Sequence, residues 1–177
     1  RVKELADSGL LAPLSSPVIA RNVPAHLRAE DDSWTALSLR ARILAISKKR
    51  VAKDSLQDIE QLAEPEWQGR VCTRKGSHVY NRALLASLIA HHGEEDARAW
   101  AKGLVGNLAR RPQGNDRAQA KAIYAGECDV ALMNTYYFGK MKFNKSEPEQ
   151  RVWADSIELV FFNQQGRGQH VNISAGG

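Results

Sequence analysis

From Ala36 onward apolar and more polar positions alternate: Leu37, Leu39, Ala41, Ile43 and Ala45 repeat every second residue, the period of a strand that buries one face. Upstream, Arg1 to Gly9 reads as the end of a helix stopped by Gly9. Pro13, Ser15, Ser16, Pro17 and Pro24 then punctuate a loop in which only residues 18–20 and 25–28 offer helical turns. Downstream, residues 55–63 read as a short helix, 64–69 as a turn containing Pro65 and Gly69, and 70–74 as a strand.

The period then changes to that of a helix. Ser77 is a suitable N-cap for a segment in which Val79, Ala83, Leu84, Leu88 and Ile89 bury a wide face before Gly93. A second helix is predicted from Glu94 to Leu108, with Ala97, Trp100, Ala101, Leu104 and Val105 recurring every three or four residues and acidic residues at its start. The Pro112 to Asp116 loop caps a third helix that ends at Gly126. Residues 129–133 form an apolar strand followed by helix-like sequence, and 158–162 and 170–174 are short strands separated by a turn at 163–168. Strands alternating with helices define an α/β chain whose sheet is at least partly parallel. No internal repeat is present.

Composition narrows the function classes. The 177 residues are 43% hydrophobic and 25% charged, ordinary globular values. No apolar run approaches the roughly 20 residues that a membrane-spanning helix needs. The net charge of +5 would suit a nucleic-acid binder, but Lys and Arg are interspersed with Asp and Glu, and the densest basic run, Lys48-Lys49-Arg50, is short. Phosphate tracking needs a basic stripe on one face, so no nucleic-acid partner is expected. Arg1-Val2-Lys3-Glu4-Leu5 leads straight into a helical pattern without the apolar core and cleavage site of a signal peptide, so the start of the mature protein is expected to lie upstream.

The most informative chemistry is Asn134-Thr135-Tyr136-Tyr137, where a strand gives way to a helix. In open α/β sheets ligands sit at the carboxyl ends of strands. Adjacent tyrosines on a first helical turn have Cα atoms about 3.8 Å apart, so both reach one ligand only if it is small and sits against the turn. Phenol normally titrates near pH 10, and a strong local cation is required to hold it as phenolate. Ferric iron is such a cation, and tyrosinate is a ligand of iron in haem proteins. The alternative is a half-buried aromatic patch. Tyr80 falls in the first turn of another strand-to-helix corner, after Arg74-Lys75-Gly76-Ser77, and two corners of one sheet can converge. Ser77, Asn81 and Asn134 near these corners can hold an anion, or can serve only as local caps.

Taken together, residues 37–42 (Leu-Ser-Leu-Arg-Ala-Arg), 65–72 (Pro-Glu-Trp-Gln-Gly-Arg-Val-Cys), Tyr80-Asn81, 100–105 (Trp-Ala-Lys-Gly-Leu-Val), 125–131 (Ala-Gly-Glu-Cys-Asp-Val-Ala), 134–137 and 170–174 (His-Val-Asn-Ile-Ser) resemble the ferric-iron-binding periplasmic proteins of iron ABC transporters. The resemblance implies a periplasmic-binding-protein type II lobe of α/β class, a mixed, mostly parallel sheet flanked by helices. It places a partial first-lobe segment and crossover at 1–38, the second lobe with its tyrosines at 39–157, and a return crossover at 158–177. It implies Fe3+ as cargo, Tyr136, Tyr137 and Tyr80 as ligands, a synergistic anion such as carbonate or phosphate, and Arg40 as the arginine that balances carbonate, with Arg42 as the fallback. An inner-membrane permease as partner, a periplasmic location and a monomeric full-length protein are further implications.

The sequence departs from that family in three respects. The first lobe's upstream ligand segment is not in this chain, Lys75, Gly76 and His78 replace a mostly serine and asparagine stretch, and Ala45 stands where tyrosine is common. Cys72 and Cys128 both lie in strand-like segments; in an oxidising compartment they form either a disulfide or two buried thiols. His91 and His92 read as helix-end cations, His78 as a surface residue beside Tyr80, and His170 as part of a crossover strand. A hydrolase or transferase is poorly supported: no GxSxG, HExxH, Walker or strand-linked GxGxxG pattern is present. A binding protein for another anion or small organic solute is the stronger rival.

Overall fold

Thirteen residues, Thr35–Ser47, form the longest strand, β1. Its outer half does not follow the expected one-sided burial: Leu37 and Leu39 are 73% and 53% exposed, whereas Ile43, Leu44, Ala45 and Ile46 are all fully buried. Continuous burial is what a strand covered on both faces requires. In this computed structural model, which describes residues 2–177, the chain divides into two compact units. Residues up to Arg40, with Val171–Gly177, make one; Ala41–His170 make the other. Arg1, where the sequence opens its first helix, lies outside the described residues.

The first unit contains helices α1 (Val2–Asp7) and α2 (Pro17–Asn22), the outer half of β1, and a strand, Val171–Gly176, that pairs with β1. Ser16 caps α2 by accepting the Ile19 N–H, and Pro17 pre-sets the first helical turn.

In the second unit β1 lies between a strand at Val130–Asn134 and a strand at Ile157–Val160, both antiparallel to it. The edge strand β2 (Val71–Cys72) runs parallel to Val130–Asn134, here β3. The sheet is mixed and flanked by helices, but its parallel share is smaller than expected, because β1 arrives as a long crossover strand rather than through a helical connection. Ile157–Val160 is β4 and Val171–Gly176 is β5.

Alternation along β1 and β3 sorts side chains into two cores. Leu44, Ile46, Val130 and Leu132 pack with Trp67, Leu84 and Leu88 on one face; Ile43, Ala45, Ala131 and Met133 pack with Ala120, Ile123, Met141 and Ala154 on the other. Helix α3 (Val79–Gly106) covers the first face, and α4 (Asp116–Ala125), α5 (Thr135–Lys142) and α6 (Glu149–Ser156) contribute to the second. Gly93 breaks α3 with φ of 85°, where the two predicted helices meet. The expected short helix at 55–63 is two 3₁₀ turns, Lys53–Ser55 and Ile59–Ala63.

Helix α3 approaches the second of those turns so closely that only glycine fits at position 103. A Cβ there would lie 2.8 Å from both the Cβ and the carbonyl oxygen of Ala63. Gly103→Ala is expected to lower unfolding free energy by about 1–3 kcal/mol, overpacking outweighing the gain in helix propensity. Urea unfolding checks this, and a stabilised variant would contradict the close approach.

Cys72 and Cys128 are joined in a disulfide, with Cα atoms 5.9 Å apart. This decides between the two alternatives that the sequence left open.

Candidate metal centre

Because β2 and β3 are parallel neighbours, the strand-to-helix corners that follow them emerge at the same end of the sheet. At the first corner the chain passes from Cys72 through residues 73–78 into α3, carrying Tyr80 on the opening turn. His78 rather than Ser77 is the N-cap: its backbone is still extended, and its Nδ1 accepts the Tyr80 N–H at 3.2 Å. At the second corner β3 ends at Asn134 and α5 begins at once, with Tyr136 and Tyr137 on its first turn.

The corners converge. The Tyr80 and Tyr136 hydroxyls are 3.1 Å apart, and the Tyr136 and Tyr137 rings are 4.3 Å apart between centroids. Burial pushes the Tyr136 phenol well above its ordinary value of 10, and the neighbouring hydroxyls of Tyr137 and Tyr80 push it the same way. Without a cation beside it the Tyr136 phenol is therefore protonated at neutral pH. Each ring has a basic side chain over its face: Arg74 and Arg42 at 5.2 and 5.7 Å from the Tyr80 centroid, Lys140 at 5.3 Å from that of Tyr136, and Arg117 at 5.4 Å from that of Tyr137.

Beneath the tyrosines lies a buried polar cluster. Arg42 Nη1 donates to Asp116 Oδ2 at 3.0 Å and to Asn134 Oδ1 at 3.3 Å, and Nη2 donates to Asn81 Oδ1 at 2.8 Å. Arg74 Nη1 donates to the other Asp116 oxygen at 3.0 Å. Arg42, Asp116 and Asn134 are fully buried. Burial pulls the Arg42 pKa down and Asp116 pulls it back up, the pattern of a buried charge kept by its partner. Asn81 Nδ2 donates to Thr73 Oγ1 and to the Arg74 carbonyl, bracing the loop ahead of α3. Asn134 Nδ2 and Arg42 Nε are buried without a partner, donors of the kind that an anion or a polar ligand satisfies.

The expected residues thus divide. Tyr80, Tyr136, Tyr137, Asn81 and Asn134 lie together. Ser77 is exposed on the loop ahead of α3. Arg40 belongs to the other unit, where its Nη2 donates to the Ile173 carbonyl at 3.1 Å, and Arg42 is the arginine in the tyrosine cluster. Asp116, Arg74, Arg117 and Lys140 were not anticipated. Only Asp116 left a trace, an acidic residue just after the Asn115 cap, which reads equally well as complementing the helix dipole.

The histidines are otherwise occupied. His78 packs edge-on against Tyr80, and burial together with Arg74 and Arg42 lowers its pKa against the pull of Asp116, so its Nδ1 stays free to accept. His92 pairs with Glu60 at 2.9 Å. His170 is pushed down to about 4, mainly by burial and then by Arg167 and Arg42. Among the described residues no three His, Cys, Asp or Glu side chains gather to hold a metal, and the oxygen donors that do converge are phenols.

An α/β unit with polar donors gathered at the carboxyl ends of its parallel strands has the form of a ligand-binding lobe. The chain belongs to the bacterial extracellular solute-binding protein family, whose sequence profile matches residues 2–166. It is 43% identical over 177 residues to iron uptake protein A1 of Synechocystis, covering 100% of this chain and 49% of that protein. It is 27% identical to the Fe(3+)-binding periplasmic protein of Serratia marcescens, over 97% of this chain and 48% of the relative. Among solved structures it resembles Trichodesmium FutA in complex with iron and citrate, with a TM-score of 0.92 at 44% identity over 98% of this chain and 55% of that one. It also resembles the ferric binding protein from Campylobacter jejuni, with a TM-score of 0.90 at 42% identity over 98% and 55% of the two chains. The chain therefore spans about half the length of the curated relatives it matches. By name these relatives are proteins of iron uptake or ferric-ion binding.

Proposed function

We propose that this chain supplies the tyrosine ligands of a periplasmic ferric-ion receptor, with Tyr80, Tyr136 and Tyr137 binding Fe3+ as phenolates and the cargo passing to an inner-membrane ABC permease. One observation carries the proposal: two strand-to-helix corners bring the Tyr80 and Tyr136 hydroxyls within 3.1 Å of each other, with Tyr137 stacked beside them. Phenolate oxygen is a hard anionic donor suited to a hard trivalent cation, and its proton leaves when the metal binds.

Asn81 and Asn134, with Ser77 at the entrance to α3, are the proposed anion side of the site; the unpartnered Asn134 amide supports this. Carbonate or phosphate can accept from the Asn134 amide and the Ser77 hydroxyl, whereas the Asn81 amide would first have to leave Thr73 Oγ1 or the Arg74 carbonyl. Arg42 replaces Arg40 as the arginine proposed to balance the anion, since it is the one among the tyrosines. The full-length protein is proposed to act as a monomer.

Titration with ferric citrate, followed by visible absorption, tests this reading. A saturable charge-transfer band is expected, because iron-bound phenolate absorbs in the visible and carboxylate or imidazole sites do not. A folded protein that gives no band would overturn it. Saturable uptake of citrate or phosphate without any band would favour the rival, a receptor for another anion or small organic solute.

A further inference from the structure

We infer that Asp116 is the positioning residue that sets the separation of the two tyrosine-bearing corners; this rests on the reading of Tyr80, Tyr136 and Tyr137 as the ligands. Its carboxylate is fully buried and accepts from three elements: Arg42 of β1 and Arg74 of the loop ahead of α3 at 3.0 Å each, and the backbone N–H of Asn134 at the head of α5 at 2.8 Å.

Each donor is tied to a tyrosine. Asn134 is two residues from Tyr136, and its N–H bond fixes where β3 stops and α5 starts. Arg74 and Arg42 lie over the Tyr80 ring, and Arg42 also grips Asn81, one residue beyond Tyr80. The Tyr80 corner and the Tyr136 corner therefore meet through one carboxyl group. The α5 end does not compensate for its loss, because the Asn134 side chain makes no cap bond to α5 and points its carbonyl at Arg42 instead. A buried carboxylate that pairs with two arginines and stops a strand is an orienting partner for ligands, and loss of a residue in that role typically lowers metal affinity by a factor of about 10–100.

Asp116→Asn keeps the shape and one acceptor oxygen but removes the charge that holds both arginines. Two readouts are measured at a temperature where circular dichroism shows wild type and variant folded: the visible band per bound iron with the ferric citrate affinity, and, in metal-free protein, the nuclear Overhauser contact between the Tyr80 and Tyr136 rings. The expected result is an iron affinity lower by roughly 10–100-fold, a weaker band per iron, and loss of the ring contact. A variant that is only less heat-stable, with unchanged band, affinity and ring contact, would overturn the inference. If Asp116→Asn does not fold, Arg74→Met removes one of the three donors: a weakened Tyr80–Tyr136 contact with the α5 resonances unmoved supports the role, and an unchanged contact overturns it. Should wild type bind no iron, the proposed function fails, while the metal-free ring contact still decides the role of Asp116.

Discussion

Tyr136→Phe is expected to lose ferric binding almost completely while the protein stays folded. The substitution deletes one oxygen and leaves the ring that stacks on Tyr137 and lies under Lys140. The structural cost is the hydroxyl's contacts with Tyr80 and Tyr137, each worth about 0.5–1.5 kcal/mol, too little to unfold a domain of ordinary stability. The functional cost is much larger, because Tyr136 is the middle phenol of the three, and its loss separates Tyr80 from Tyr137. Removing a direct ligand should exceed the roughly 10–100-fold loss seen when only a ligand's orienting partner is removed.

The pH dependence carries the same signature. Burial and the adjoining hydroxyls hold the Tyr136 phenol above its usual value, so that phenol is protonated in the metal-free protein at neutral pH and iron must displace its proton. A raised pKa favours the protonated, metal-free form, so affinity falls as pH falls. The fall should be less steep in Tyr136→Phe, which has one fewer proton to release. Competitive titration against citrate at several pH values measures both effects. Equal affinities for wild type and variant would remove Tyr136 from the metal shell.

Much of this site was legible in the chain because its logic is local. A strand that ends in Asn-Thr-Tyr-Tyr and a helix that opens with Tyr80 declare two corners. The break at Gly93, the left-handed cap at Gly126 and the position of β1 follow equally from short-range pattern. The cluster beneath the tyrosines follows from tertiary packing and was not legible. Arg40 and Arg42 are two residues apart on one strand face, and alternation gives no reason to prefer either. The unit boundary falls between them, leaving Arg40 with Ile173 and Arg42 with Asp116.

Exposure along β1 has the same origin. Leu37 and Leu39 continue the apolar alternation of Ile43 and Ala45, yet the helices that bury the strand on both faces cover only its inner half. Ser77 is a better cap by residue type than His78, but the chain enters α3 one residue later, and the imidazole takes the bond to the Tyr80 N–H. Along β1 a local preference yielded to packing between elements distant in sequence, whereas at the start of α3 one local cap replaced another.

Replacing both cysteines with alanine is expected to cost the fold about 4 kcal/mol, from the chain entropy released when a loop closed over 56 residues is opened. That is a large share of the roughly 5–15 kcal/mol that holds a typical domain together. The bond matters here because β2 is only two residues long and pairs with β3 through two register positions, Val71 with Val130 and Cys72 with Ala131. So short a ladder supplies little cohesion by itself, and the disulfide ties Cys72, the last residue of β2, to Cys128, just ahead of β3. Denaturant unfolding with and without reductant checks the value, and a thiol assay of the unfolded, unreduced chain should find no reactive cysteine. The effect on iron should be indirect: in conditions where the Cys72→Ala/Cys128→Ala protein is still folded, the Asp116 cluster keeps Tyr80 and Tyr136 in place, so affinity changes far less than stability. A loss of affinity as large as that of Tyr136→Phe would mean that the disulfide, rather than the buried carboxylate, sets the distance between the two corners.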